Sequence, residues 1–158
     1  MRFRTPEYFV RYYQRSVLML MVFTILLITA ITPCHAENKV VLIAAKGSGI
    51  EMLSNRDIRR IFLGLKSADS GMVNKPVINL HNRDVYEQFL KNVMHMTEGA
   101  YKRKLVKRVF RHGTAAIKEV DRLHELNRHL SSHVGDISFI DYTELEVMPD
   151  VEIVKVLW

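Results

Sequence analysis

The sequence predicts an α/β domain, a small mixed sheet covered by helices. Three observations carry that expectation. The run Lys39–Ala45 (KVVLIAA) is too uniformly apolar for an edge ribbon and reads as a strand buried on both faces. Downstream segments carry apolar residues at helical spacing. The chain then closes on two more β-rich runs, Asp136–Ile140 (DISFI) and Val151–Leu157 (VEIVKVL). The resulting order, β-α-β-α-α-α-β-β, is that of helices packed on a sheet.

Each element has a local reason. Lys46-Gly47-Ser48-Gly49 breaks the first strand. Ser54 is a suitable N-cap for a short helix over Asn55–Leu63, whose Ile58, Ile61 and Phe62 share a face, with Gly64 just past its end. Ser67–Gly71 (SADSG) is turn material, and Pro76–Leu80 (PVINL) reads as the second strand. Asn82 or Asp84 caps a helix running to about Met96 through Val85, Phe89 and Val93. A third helix, Glu98–Arg111, has Tyr101, Leu105 and Val109 on one stripe with Val106 and Phe110 beside it. After the break at His112-Gly113-Thr114, a fourth helix is expected over Ala116–Leu130, with Val120, Leu123, Leu126 and Leu130 inward. No repeat or linker divides the segment.

Charge and cysteine content depend on the first 36 residues. The 158-residue chain carries a net charge of +6 and one cysteine. Arg2, Arg4, Arg11 and Arg15 precede the uncharged run Val17–Thr32, and Cys34 and Ala36 supply small residues at the −3 and −1 positions. This is the pattern of a secretory signal peptide over residues 1–36, cut after Ala36. Sixteen helical residues span about 24 Å, short of a hydrocarbon core of about 30 Å. A retained anchor is the competing reading, and would be the only membrane attachment. Lipidation at Cys34 fits poorly with Pro33 before it. Either way residues 37–158 lie outside the cytoplasmic membrane, because the arginines hold the other side. The expected location is periplasmic. Removing four basic residues and one acidic one leaves 19 against 16, and no cysteine. A disulfide framework and a cysteine-based zinc site are therefore excluded from the exported part, and nucleic acid is not an expected partner.

The string Leu53–Gly64, LSNRDIRRIFLG, resembles the L-S-x-x-[DE]-[IL]-x-x-I-F-x-G segment of the phosphate ABC transporter substrate-binding protein family. Phe110–Gly113 (FRHG) is similar to that family's F-x-G-x-G turn, and Val134–Ile140 (VGDISFI) to its strand entry P-G-A-I-G-Y-V. The likeness runs in order through nearly all of residues 40–157 and fits one lobe rather than a two-lobed receptor. It implies a single lobe of the type II periplasmic-binding-protein fold over residues 37–158, and a phosphate or related oxyanion as ligand.

Oxyanion recognition uses helix N-terminal amides with hydroxyls and an arginine. The family's Ser-Gly-Thr helix start aligns here with Arg83-Asp84-Val85, counted back from Phe89. Arg83 is thus a candidate donor, and Asp84 a carboxylate competing for it. Ser48 and Gly49 follow the C-terminal end of the first strand, where α/β folds commonly bind ligands. Gly113 and Thr114 precede a helix and add further donors. A single open lobe excludes water poorly, so weak binding is expected unless a dimer mate or an envelope protein partner closes it.

Lys102, Arg103, Lys104, Lys107, Arg108 and Arg111 make a dense basic face on the third helix, suited to an acidic partner or an anionic surface. His129 and His133, at i and i+4, lack a third ligand at local spacing, so no metal is expected. No cofactor is implied. There is no nucleophile elbow, metalloprotease helix or P-loop, and the sequence reads as non-enzymatic. The expected function is a phosphate-receptor-like solute-binding lobe. The alternative is an interaction or sensory module that has lost its ligand site.

Overall fold

The computed structural model describes residues 39–65 and 72–158. The expected signal peptide and the Ser67–Gly71 turn lie outside the described residues. The apolar run after Lys39 forms β1, Val40–Ala45, every residue of which is buried. It pairs antiparallel on one side with β4, Ile137–Asp141, and on the other with β5, Val151–Val156. A second ladder joins β2, Val77–Asn79, in parallel to β3, Lys118–Val120.

A parallel bridge from Pro76 to Ile137 connects the two ladders. Side chains continue the junction. Ser138 Oγ donates to the Val77 carbonyl at 2.9 Å, and Asn79 Nδ2 donates to the Phe139 carbonyl at 3.2 Å. The strands therefore lie in the order β3-β2-β4-β1-β5, a small mixed sheet.

Helices cover both faces. Val40, Leu42 and Ala44 of β1 pack with α1, Asn55–Phe62, with α2, Arg83–Phe89, and with the π-helical turn Leu90–Met94. Tyr101 of α3, Glu98–His112, joins them. At the centre the rings of Phe89 and Phe139 stack at 4.0 Å, with Phe62 edge-on to Phe89 at 4.8 Å. The alternate residues Val41 and Ile43 pack against Leu126 and Leu130 of α4, Leu123–Ser132. This two-sided burial explains a central strand with no polar alternation. The fold is α/β, with helices on both sides of the sheet.

Two boundaries depart from expectation. The predicted helix over Ala116–Leu130 is split, its first part being β3. Pairing with β2 gives that backbone its partners and buries Val120, and the Val120 carbonyl accepts from Leu80 N–H at 2.7 Å. The predicted helix to Met96 changes pitch after Phe89. The wider turn keeps Leu90, Val93 and Met94 buried, and His95, in the left-handed region at φ 53°, stops it. The Ser54 cap forms as expected, its hydroxyl accepting from Asp57 N–H at 3.2 Å.

Candidate functional site

Strand direction decides which candidate residues can act together. β2 runs parallel to β4 and so antiparallel to β1. The loop after β1, carrying Ser48 and Gly49, therefore lies at the end of the sheet where β2 begins. Gly113 and Thr114, which precede the parallel strand β3, belong to that end as well. Arg83 follows β2 at the opposite end, beyond about 10 Å of strand. One anion cannot bridge Arg83 and the other four.

The donors at Ser48 and Arg83 are already engaged. Ser48 Oγ donates to Glu152 Oε1 at 3.1 Å and accepts from Ile50 N–H at 3.4 Å. The Ser48 amide donates to the Ala45 carbonyl. Gly49, at φ 68°, approaches Met72 so closely that a Cβ would meet its sulfur at 3.2 Å. Arg83 pairs with Glu87 at 2.9 Å and with both carboxylate oxygens of Glu98. The competitor for Arg83 is thus this pair of glutamates rather than Asp84. Hydrogen bonds from Arg83 and Lys102 hold the Glu98 carboxyl at about 2, and the Arg83 guanidinium is pushed up in return. Asn82 Oδ1 takes the Asp84 and Val85 amides, so the first turn of α2 is capped by its own chain.

Thr114 is placed differently. It lines a cleft of about 630 Å³ bounded by the end of α1 (Ile61, Gly64), the approach to β2 (Val73–Val77) and the strap Thr114–Lys118. Arg108 of α3, His129 and His133 of α4, and Asp136 complete it. Gly113 ends α3 next to this strap, in the left-handed conformation at φ 60°. The Thr114 hydroxyl is buried and has no hydrogen-bond partner among the described residues.

The cleft walls carry more positive than negative charge. Lys75, Arg108 and Lys118 stand against the single carboxylate of Asp136. Both Asp136 oxygens are occupied, Oδ1 by the Lys75 amide at 3.1 Å and Oδ2 by His129 Nε2 at 3.0 Å. Lys118 Nζ donates to His129 Nδ1 at 3.1 Å, so the imidazole is neutral and carries its proton on Nε2. Burial depresses the His129 pKa below its ordinary value; the bond to Asp136 opposes this, and the charges of Lys118 and His133 reinforce it. His133 stacks on His129 at 4.2 Å. Since both ring nitrogens of His129 are committed, the i, i+4 histidine pair does not present two free ligands. Among the described residues no group of three or more His, Cys, Asp or Glu could hold a metal. Arg108 reaches inward and donates to the Leu63 carbonyl at 3.3 Å, its guanidinium lying where a Cβ on Gly64 would be.

The basic residues of α3 are therefore not one uniform face. Arg108 turns into the cleft and Lys102 pairs with Glu98 at 2.8 Å, whereas Arg103, Lys104, Lys107 and Arg111 are exposed. Tyr101 is buried as expected, but Val106 and Phe110 point to solvent.

Sequence reasoning reached Thr114 and Arg108 but missed the cleft between them. Lys75, Lys118 and Asp136 come from three separated segments, and only the β2–β3 ladder and the Pro76–Ile137 bridge bring them together. The one available signal was His129, read with His133 instead of with Asp136. No protein-family model matches the chain, and no curated protein matches it.

Proposed function

We propose that this protein is an exported, non-enzymatic solute-binding domain that takes phosphate or a related oxyanion weakly in the cleft beside Thr114. The observation that carries this reading is the buried, unpartnered Thr114 hydroxyl in a cleft walled by Lys75, Arg108 and Lys118. A buried hydroxyl without a partner costs about 1–3 kcal/mol, and rotation of the Thr114 side chain into the cleft would let a tetrahedral oxyanion accept its proton and match the surrounding cations. Asp136 opposes an anion with one negative charge, which the three cations outnumber, and its oxygens are turned toward the Lys75 amide and His129. The likeness of LSNRDIRRIFLG to phosphate receptors supports the same ligand class and a periplasmic-binding-protein-like lobe. The cleft is open, so water competes at every contact and the affinity is of the order of millimolar.

Calorimetric titration of the full chain with phosphate, sulfate and molybdate tests the reading. Binding heat that falls several-fold in Lys118→Gln and Lys75→Gln is expected. Absence of both heat and thermal shift at millimolar anion overturns it.

A second reading has its own observation. Ser48 and Arg83 spend their donors on Glu152, Glu87 and Glu98. That suits an interaction or sensory module in the periplasm whose ancestral anion contacts have been closed by the chain itself. Titrations without heat, together with co-purification of an envelope protein, favour this alternative.

A further inference from the structure

The outer face of α3 has no part in the cleft. Phe110 is 85% exposed and Val106 53% exposed. Four residues apart, they lie on one side of the helix. At 3.6 residues per turn Arg103 lies about 40° from their mean direction and Lys102 about 60° on the other side, with Lys107 at the margin, about 80° away, and Arg111 farther round the same flank. The sole carboxylate of the helix, Glu98, is at its start and already bound by Arg83 and Lys102. The face is thus an apolar pair flanked along one side by the cations Arg103 and Lys107.

We propose that this face docks on a bilayer surface rich in anionic lipids. Phe110 and Val106 enter the boundary between headgroups and acyl chains, and Arg103 and Lys107 meet the lipid phosphates. The charge is complementary, and the long basic side chains can lie along the interface with their heads in the phosphate layer. The shape points the same way. Phe110 protrudes from a convex helix, which a fluid bilayer accommodates without a preformed pocket. An acidic protein would need a concavity for the ring, and lysine is depleted from the cores of protein interfaces.

The test uses the full chain carrying Phe110→Trp with Trp158→Phe, so that the only indole reports on α3 whatever else attaches the chain to lipid. It is mixed with phosphatidylcholine vesicles with or without phosphatidylglycerol, the acyl chains being brominated. Blue-shifted emission and roughly twofold or greater quenching are expected only with the anionic lipid. Adding Arg103→Glu and Lys107→Glu abolishes the quenching, and raising salt toward about 0.5 M weakens it. An indole left unquenched by anionic vesicles, or quenched equally by neutral ones, overturns the proposal. So does an indole that ignores vesicles but is buried by an acidic polypeptide such as polyglutamate, which would mark a protein-docking face.

Discussion

His129 Nε2–H donates a hydrogen bond to Asp136 Oδ2 at 3.0 Å, and this bond ties the end of α4 to the start of β4. Lys118 closes the other side of the ring, so the native structure holds a neutral imidazole between a cation and an anion. His133 stacks on the same ring at 4.2 Å.

This arrangement makes stability depend on pH. Burial sets the folded pKa of His129 below its ordinary 6.5. Between those two values the unfolded chain binds a proton that the native state does not, so stability rises with pH. The contribution is complete above 6.5 and disappears as pH falls through the folded value. Thermal denaturation should show a lower midpoint near pH 5 than near pH 7.5, with a shallower dependence in His129→Gln. An unchanged slope in that variant would assign the effect to other groups.

Thr114→Val should move stability and binding in opposite directions. The substitution removes an unpartnered buried hydroxyl at nearly constant volume, so unfolding free energy rises or stays level, by up to about 1 kcal/mol. Phosphate heat should fall several-fold in the same variant. A loss of stability would mean the hydroxyl is partnered in solution.

Arg83→Gln separates the two ends of the sheet. Because Arg83 serves Glu87 and Glu98, anion titration should be unaffected. The Glu98 carboxyl, relieved of its main partner, should titrate closer to the usual carboxylate range, as followed by NMR. A several-fold drop in anion affinity would return the ligand to the start of α2.

Tyr101→Phe tests the anchor of α3. The buried phenol donates to the Phe62 carbonyl at 2.7 Å, and burial raises its pKa far above the ordinary value. Removing the donor leaves a buried carbonyl unpaired and should cost about 1–3 kcal/mol in urea denaturation. A neutral result would indicate that water replaces the phenol.

The elements with strong periodicity or explicit punctuation were legible in the sequence. Ser54 capping, the buried β1 run and the inward Leu126 and Leu130 depend on local pattern and appear in the structure. β3 was not legible, because Lys118–Val120 has one inward side chain and becomes a strand only by pairing with β2. The same non-local pairing assembles the cleft, so its residues could be seen singly but not as a group. Helical spacing also could not say that Val106 and Phe110 lack a partner; the width of the buried face of α3 depends on how many neighbours reach it.

β1 lies between β4 and β5, and both of these neighbours are supplied by segments far downstream of it. Ser48 meets Glu152 across a sequence separation of 104. Long-range pairing of this kind slows folding, because loop closure precedes any reward from contact. The core around Val40–Ala45 therefore cannot close until Val151–Val156 has been made. A nascent chain thus keeps this apolar strand uncovered while the segments between β1 and β5 are being made.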